Sequence, residues 1–294
     1  MKIALCNGGL GNQVFQYIFA RYVELTSGEE CYLDNTAFCG KHVCHNGYEI
    51  PTVFPNANPH LLSDAFTEDV WEYMMEQCKN GKGICEQIRD LGEDITMVAE
   101  TADFNFSGNV VYVPVNEFTP SIAHSSGNIY FHGYWINRNW LKSNFYQILK
   151  KELEFAPITE EHNRKYAEAI KSCNSVSIHI RRGDFVTLNR TAAPESYKQV
   201  IKITEEHVKD AVYFVFSDDK EWCKSNMEIL GLADVSDRVC FVEGNERVIN
   251  YRDMQLMSLC KTNVLVGGSS FSFLAALLNA NDTAMIINGG MREV

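Results

Sequence analysis

Two adjacent arginines follow an apolar stretch near the middle of the chain. Residues 179–184 read HIRRGD and come directly after the run SVSI at 175–178. An arginine side chain stays charged at physiological pH and can bind two phosphate oxygens at once. The whole chain has a formal net charge of -12, so this basic pair contrasts with an acidic background. We predict that the pair binds one small, highly charged phosphate ligand.

Alternatives stay open for single residues of this segment. Consecutive strand residues point to opposite faces of a sheet, so Arg181 or Arg182 could instead close an ion pair with Asp184. Asp184 would then orient an arginine. For an aspartate that role is commoner than the role of a base. His179 is on a buried strand, and it could be either a structural histidine of the core or a catalytic histidine.

Two further segments place polar groups directly after apolar runs. Residues 214–219 read FVFSDD, and Asp218 or Asp219 could accept hydrogen bonds from a nucleobase or ribose, or cap the next helix. Residues 267–272 read GGSSFS. Serine hydroxyls and amides at a helix start can bind phosphate oxygens, or they can simply cap the helix.

A glycine turn near the N-terminus is a weaker phosphate signal. Residues 8–11 read GGLG, and helix N-termini present unpaired amides and a partial positive charge. The spacing matches neither a dinucleotide fingerprint nor a P-loop, so a plain tight turn is the alternative. Asn12 and Gln13 add amide donors that suit a sugar or a phosphate.

The sequence favours no metal site. It has no Asp-X-Asp pair for a divalent ion that bridges a diphosphate, so cationic side chains and helix dipoles are expected in that role. Cys39, His42, Cys44 and His45 are too close together for a tetrahedral zinc site and favour a loop. The ten cysteines are scattered, and we expect reduced thiols that are mostly buried.

Strand-like and helical runs alternate, which predicts an α/β fold with parallel sheets and crossover helices. A break near Ala156-Pro157 suggests two domains, 1–156 and 157–294. In the first half we expect strands at 2–6, 30–33 and 128–132, and helices from Asn12 and over 140–153. In the second half we expect strands at 175–180, 211–216, 239–242, 263–266 and 284–287, and helices at 159–172, 196–208, 221–230, 251–260 and 271–278. Ligands of such Rossmann-like sheets bind at the carboxyl ends of the strands, where 179–184, 217–219 and 267–270 all fall.

Composition excludes several classes of function. Of the 294 residues, 46% are hydrophobic and 22% are charged, as in ordinary globular enzymes. The acidic balance argues against a nucleic-acid partner, whose phosphates require a basic face. The longest apolar run, at 271–280, is too short to span a bilayer, and the N-terminus reads as a strand and not as a signal peptide. We expect a cytoplasmic protein with at most peripheral association at the inner face of the membrane.

Six blocks in order resemble the α-1,2-fucosyltransferases of glycosyltransferase family 11, of the bacterial type. They are GGLGNQVFQY at 8–17, HNGYE at 45–49, GYW at 133–135, HIRRGD at 179–184, FSDD at 216–219 and MQLMSLCK at 254–261. The resemblance implies two Rossmann-like domains that face each other across a cleft in the GT-B arrangement. It also implies inverting transfer of L-fucose from GDP-β-L-fucose to the 2-hydroxyl of a terminal β-galactoside, in polysaccharide biosynthesis, with no cofactor and no metal. The N-terminal domain would be the acceptor side and the C-terminal domain the donor side.

By the same resemblance, Arg181 binds the β-phosphate and stabilises the GDP leaving group, and Asn12 lies near the reacting sugar. Asp184 is the candidate base, with Glu49 as the alternative. His45 and Glu49 would face the acceptor. The implied donor-binding residues are His179, Arg182, Ser217, Asp218 at the guanosine, Ser269, Ser270 and Phe271 at the pyrophosphate, and Gly11.

Two other functions stay open. The same scaffold would serve a transferase that uses another nucleotide sugar. A carbohydrate-binding relative without catalysis is the third possibility, because the chain departs from the family pattern at Gly268 and over 273–277. The intact basic pair counts against that possibility.

Overall fold

The computed structural model describes residues 1–39, 45–103, 108–137, 139–140, 145–279, 281 and 284–289. The chain divides into two compact units, Met1–Ala156 and Pro157–Val294. This division falls at the residue pair where the sequence indicates a break. Each unit contains one sheet of five parallel strands, so the prediction of an α/β fold with parallel sheets is confirmed.

The N-terminal unit carries its strands in the order β2-β1-β5-β3-β4. They are β1 (Lys2–Leu5), β2 (Cys31–Asp34), β3 (Ile95–Ala99), β4 (Val110–Tyr112) and β5 (Asn128–His132). The helices are α1 (Leu10–Ser27), α2 (Ile50–Val53), α3 (Glu68–Lys79), α4 (Ile84–Asp90), α5 (Pro120–Ala123) and α6 (Tyr146–Glu152), with 3-10 turns at Thr36–Phe38, Leu62–Ala65 and Val115–Glu117.

Helix α1 packs into the core of this unit. Val14, Phe15, Ile18 and Phe19 are all fully buried, at the spacing that puts residues on one helix face. Each such side chain contributes about 1.5–3 kcal/mol through burial. The helix ends at Gly28, whose φ of 73° is left-handed and whose N–H donates to the Glu24 carbonyl, a common glycine stop.

The C-terminal unit carries its strands in the order β10-β9-β6-β7-β8. They are β6 (Asn174–Ile180), β7 (Ala211–Ser217), β8 (Val239–Phe241), β9 (Thr262–Leu265) and β10 (Met285–Asn288). The helices are α7 (Glu161–Ser172), α8 (Gly183–Thr187), α9 (Pro194–His207), α10 (Lys220–Ser225), α11 (Met227–Leu230), α12 (Tyr251–Met257) and α13 (Ser270–Leu277), with 3-10 turns at Ala233–Arg238 and Arg247–Ile249.

The register of this second sheet aligns the ends of its central strands. Ile180 at the end of β6 lies opposite Ser217 at the end of β7, and β6 pairs with β9 on its other side. The segments that follow β6 and β7 therefore leave the sheet side by side. The apolar faces of the strands form one core with α9 and α11, which contains Val176, Ile178, Val200, Val215 and Leu230.

Several elements differ from the sequence prediction. Strands β3 and β4 and helices α2 to α5 were not predicted. The single helix expected at 221–230 is two helices that meet at Asn226. Of the helix expected over 140–153, the described residues contain α6 (Tyr146–Glu152), and residues 141–144 lie outside the described part of the chain. No helix in the described ranges has the length and apolar character that a membrane crossing requires.

Candidate active site

Arg181 follows β6 and is held by two carboxylates. Its Nη2 donates to Asp184 Oδ1 at 2.7 Å, and its Nη1 lies 2.6 Å from Asp218 Oδ2. The guanidinium carbon is 5.6 Å from the centre of the Phe185 ring. The side chain remains 32% exposed. A guanidinium group has five N–H donors, so the two ion pairs fix its plane and leave further donors for a ligand.

Arg182 points to different partners, as neighbouring residues at a strand end would. Its Nε donates to Asp219 Oδ2 at 3.1 Å, and its guanidinium carbon lies 3.5 Å from the centre of the Trp222 ring. Its backbone N–H donates to Asp218 Oδ1 at 2.8 Å. The side chain of Arg182 is therefore packed against α10, and its backbone helps to hold the carboxylate that orients Arg181.

The two aspartates after β7 have separate tasks. Asp219 caps α10, because its side chain accepts the N–H of Trp222. Both oxygens of Asp218 are engaged, one with Arg181 and one with the Arg182 N–H. Ser217 supports this turn, since its hydroxyl donates to the Ile180 carbonyl at 2.7 Å and accepts the Asp219 N–H at 3.0 Å. The guanosine contact expected of Asp218 stays a prediction.

The Arg–Asp cluster, formed by Arg181, Arg182 and their aspartate partners, carries no excess of positive charge. Two guanidinium groups meet the three carboxylates Asp184, Asp218 and Asp219, which gives a formal charge of -1. The sequence indicated a basic pair, and the structure shows that each arginine is held in a fixed direction by neighbouring carboxylates. Any phosphate binding here must rely on directed N–H donors.

His179 is buried and lies two residues before Arg181 in the chain. Burial is the main cause that lowers the pKa of its imidazole to about 4, with Arg181 lowering it further and Asp218 opposing. The ring is therefore neutral near pH 7. It lies 5.5 Å from the Phe271 ring, and its Nδ1 has no hydrogen-bond partner among the described atoms. A buried polar atom without a partner is costly, which makes Nδ1 a candidate contact for a ligand.

The serine turn between β9 and α13 begins with a backbone that requires glycine. Gly267 has a φ of 73°, and an added Cβ would lie 3.2 Å from the Cβ of Ala192. Ser269 is the N-cap residue of α13, yet its side chain makes no capping hydrogen bond. Ser270 begins the helix. The Ser269 side chain therefore does not cap the first amides of α13, and amides at a helix start suit an anion.

The N-terminal unit gathers the other predicted residues at the carboxyl end of β1. Gly8 has a φ of 78°, and a Cβ there would lie 2.8 Å from Nδ2 of Asn12. A Cβ on Gly9 would lie 3.5 Å from Nδ1 of His45. Gly11 is buried in the first turn of α1. The glycine turn, Asn12 and His45 are therefore in close contact.

Gln13, which the sequence suggested only as an amide donor, joins this turn to the segment that contains Glu49. Its Nε2 donates to the carbonyls of Gly8 at 3.0 Å and Gly47 at 2.8 Å. Its Oε1 accepts the Glu49 N–H at 2.9 Å. The side chain is fully buried, so these bonds have no water to compete with them.

Glu49 carries a buried carboxyl group. Its side chain is buried, and Oε1 accepts a hydrogen bond from Asn46 Nδ2 at 3.2 Å. Burial raises the pKa of Glu49, and the bond from Asn46 opposes that rise. A raised carboxyl pKa is typical of general bases and acids.

A buried polar network that joins α7, the segment after β8 and α12 gave no recognisable signal in the sequence. Asn245 exchanges two hydrogen bonds with Asn163, at 2.8 and 2.9 Å, and donates a third to Asp253 Oδ1 at 2.8 Å. His162 Nε2 lies 3.2 Å from Asn245 Oδ1. Burial raises the pKa of Asp253 to about 7. Only the three-dimensional pairing of these residues, far apart in sequence, shows the network.

The described residues contain no group of three or more side chains that could hold a metal ion. Every cysteine in the described ranges is a free thiol. Of the residues considered for zinc, His42 and Cys44 lie outside the described part of the chain, and the thiol of Cys39 is exposed. The expected metal independence stays a prediction.

The chain is similar to proteins of known activity. Residues 115–293 match the model of Glycosyl transferase family 11. An alpha-1,2-colitosyltransferase of Escherichia coli is 35% identical over 295 residues, which cover 97% of this chain and 90% of that protein. The human galactoside alpha-(1,2)-fucosyltransferase 1 is 23% identical over 166 residues, which cover 49% of this chain and 42% of the human protein.

Among solved structures, the fucosyltransferase NodZ from Bradyrhizobium superposes with a TM-score of 0.52 at 12% identity, over 94% of this chain and 92% of NodZ. Similarity at that level of identity shows a shared fold. The family match covers more than half of this chain, and the colitosyltransferase matches nearly all of it. The chain therefore belongs to glycosyl transferase family 11.

Proposed function

We propose that the protein transfers L-fucose from GDP-β-L-fucose to the 2-hydroxyl of a terminal β-galactoside, with inversion and without a metal ion. The observation that carries the proposal is the fixed guanidinium of Arg181 between Asp184 and Asp218 at the carboxyl edge of the second sheet. We assign the donor to the C-terminal unit and the acceptor to the N-terminal unit. The family supports a glycosyltransferase, and the finer assignment is ours.

In this proposal Arg181 acts on the leaving group. Negative charge develops on the GDP β-phosphate as its bond to the fucose anomeric carbon breaks. N–H donors that are already oriented stabilise such charge without reorganisation. Asp184 and Asp218 supply that orientation. The role of Asp184 is therefore to position Arg181, and Glu49 becomes the preferred general base for the acceptor hydroxyl.

The remaining roles follow from burial and position. His179 presents the unpaired Nδ1 to the donor beside Phe271, and the amides after Ser269 bind the pyrophosphate. Asn12 and His45, in contact with the glycine turn, bind the sugars. Arg182 and Ser217 hold Asp218 and the turn after β7 in position. This role requires no contact with the donor.

The test is a transfer assay with purified protein, GDP-fucose and a panel of lactose and both N-acetyllactosamine isomers. GDP release and the linkage of the product are measured, the latter by NMR. We expect α-1,2-linked fucose, with rates that EDTA leaves unchanged. GDP release without any transfer product would instead support a relative that has lost transfer.

Arg181→Ala is expected to lower kcat/KM by about 10²–10³, the usual effect of removing one donor to developing charge. Arg164→Ala is the matched control, because Arg164 is an exposed arginine of the same unit that pairs with Glu161 in its own helix. Urea unfolding shows whether each variant is folded, and Arg181→Lys tests charge without the bidentate geometry. Full activity of a folded Arg181→Ala variant would refute the assigned role.

A second donor is favoured by one specific observation, the 35% identity to an alpha-1,2-colitosyltransferase over nearly the whole chain. Colitose is fucose without its 3-hydroxyl, so GDP-colitose would offer the same diphosphate and base. A site that hydrogen-bonds a substrate hydroxyl rejects the deoxy analogue by about 10⁴–10⁵. The ratio of kcat/KM for GDP-fucose and GDP-colitose, measured with one acceptor, therefore decides between the two donors.

A further inference from the structure

An exposed tyrosine follows β5 at the carboxyl edge of the first sheet. Tyr134 is 46% exposed, whereas Trp135 beside it is fully buried. Single exposed aromatic residues are common on protein surfaces. The segment that carries Tyr134, however, is held in place by two sets of hydrogen bonds and one set of aromatic contacts.

Glu100 is the first of these restraints. Its Oε2 accepts the N–H of Tyr134 at 2.7 Å and the N–H of Trp135 at 2.9 Å. A Cβ on Gly133 would lie 2.6 Å from both Cβ and Oε2 of Glu100, so only glycine allows this approach. Both hydrogen bonds from backbone N–H groups to this carboxylate are charge-assisted, and such bonds are stronger than neutral ones.

Trp135 is the second restraint, and its backbone is strained. Its φ of 52° is left-handed, a conformation that costs a non-glycine residue about 1–3 kcal/mol. The indole stacks on Phe19, with ring centres 4.4 Å apart and planes 7° apart, and meets Phe118 edge-on. Aromatic packing thus holds an unfavourable backbone. Strain of this kind concentrates at functional sites.

Gln16 is the third restraint, and it links this segment to the turn after β1. Its Nε2 donates to the Gly133 carbonyl at 3.0 Å and to Asn7 Oδ1 at 3.1 Å, and its Oε1 accepts the Asn7 N–H at 2.9 Å. Gln13, one helical turn earlier, holds the segment of Glu49 in the same way. Tyr134 therefore shares one edge of the sheet with the residues that we assign to the acceptor.

We propose that Tyr134 is the platform on which the acceptor sugar packs, so that the apolar face of a β-galactoside lies against the phenol ring. This inference rests on the proposed function and names its acceptor contact. The axial 4-hydroxyl of galactose leaves the hydrogens on C3, C4 and C5 together on one face. Those hydrogens carry partial positive charge and match the negative face of an aromatic ring.

The test compares Tyr134→Ala with Tyr134→Phe at saturating GDP-fucose. The alanine variant is expected to raise the KM for lactose by about 10-fold, the equivalent of about 1.4 kcal/mol. The KM for GDP-fucose and the rate of donor hydrolysis without acceptor stay as in the wild type. The phenylalanine variant keeps the ring and the wild-type KM. Tyr73→Ala is the control, since Tyr73 is 54% exposed on α3 in the same unit.

Failure of the platform and failure of the proposed function give different results. If the wild type fucosylates lactose and Tyr134→Ala has an unchanged acceptor KM, the platform is wrong and the function stands. If the wild type transfers to no acceptor in the panel, the proposed function is wrong. In that case saturation-transfer NMR with methyl β-galactoside tests the platform directly. The platform is supported if the C3, C4 and C5 proton signals appear with the wild type and are lost with Tyr134→Ala. It is overturned if these signals are equal in the two proteins or absent from both.

Discussion

The buried carboxyl group of Asp253 is expected to contribute less to stability at neutral pH than at lower pH. Burial raises its pKa to about 7, while the bond from Asn245 and the charge of Lys220 oppose the rise and Glu246 adds to it. The ordinary value is 3.8. The folded state thus binds this proton about three pKa units more tightly than the unfolded state, which is worth about 4 kcal/mol.

The sign follows from proton binding. Between about pH 4 and about pH 7 the folded chain holds a proton that the unfolded chain has lost, so stability from this group falls as pH rises. Above that window the full cost is present. Asp253→Asn removes the charge and keeps an oxygen that can accept from Asn245. The variant should therefore match the wild type near pH 4 and exceed its stability by up to about 4 kcal/mol near pH 8.

The assay is urea unfolding of the full chain, followed by far-UV circular dichroism across this pH range. The quantity of interest is the difference between variant and wild type, because other titrating groups contribute equally to both. Asp234→Asn, at an exposed carboxylate of the same unit, is the control. A constant difference for Asp253→Asn, or one that shrinks as pH rises, would refute the reasoning.

Two further substitutions test the two sites. Gly183→Ala places a Cβ 2.6 Å from Asp218 Oδ2, a carboxylate that its two partners hold. We expect a loss of about 1–3 kcal/mol in urea unfolding together with slower transfer. Gly83→Ala, where a Cβ meets nothing, is the control and costs less, because it changes only the N-cap of α4. Glu49→Gln should lower kcat by about 10²–10⁴ and remove the acidic limb of the pH–rate profile. In the wild type that limb lies above the usual glutamate range because burial raises the pKa of Glu49. The control is Glu68→Gln, at an exposed glutamate. If the pH profile of Glu49→Gln is the same as that of Glu68→Gln, Glu49 is not the base.

The second half of the fold was predictable because its signals are local. Strands β6, β7 and β9 are short apolar runs that end in polar turns, and parallel strands with crossover helices align their carboxyl ends. That reasoning placed Arg181, Ser217 and the serine turn on one edge. Strand β4 gave no such signal, since it has three residues and two of them are exposed.

The contacts that shape both sites were not predictable in the same way. Gln13 reaches Gly47, and Gln16 reaches Gly133, across 34 and 117 residues. Glu100 reaches Tyr134 in the same manner. Such bonds depend on which strands become neighbours and in what register, and no short-range pattern encodes them. Residue type marks the candidates, and tertiary pairing decides what each one does.

The charge balance of the C-terminal site shows why orientation matters more than attraction. A cluster with a formal charge of -1, in a chain of net charge -12, does not draw an anionic donor by its field. Each carboxylate instead fixes one edge of a guanidinium group. N–H groups that are already in place lose little reorganisation energy when charge develops in front of them. On the function proposed above, an acidic protein can serve a diphosphate donor if its few cations are held in position, as Asp184, Asp218 and Asp219 hold the two arginines.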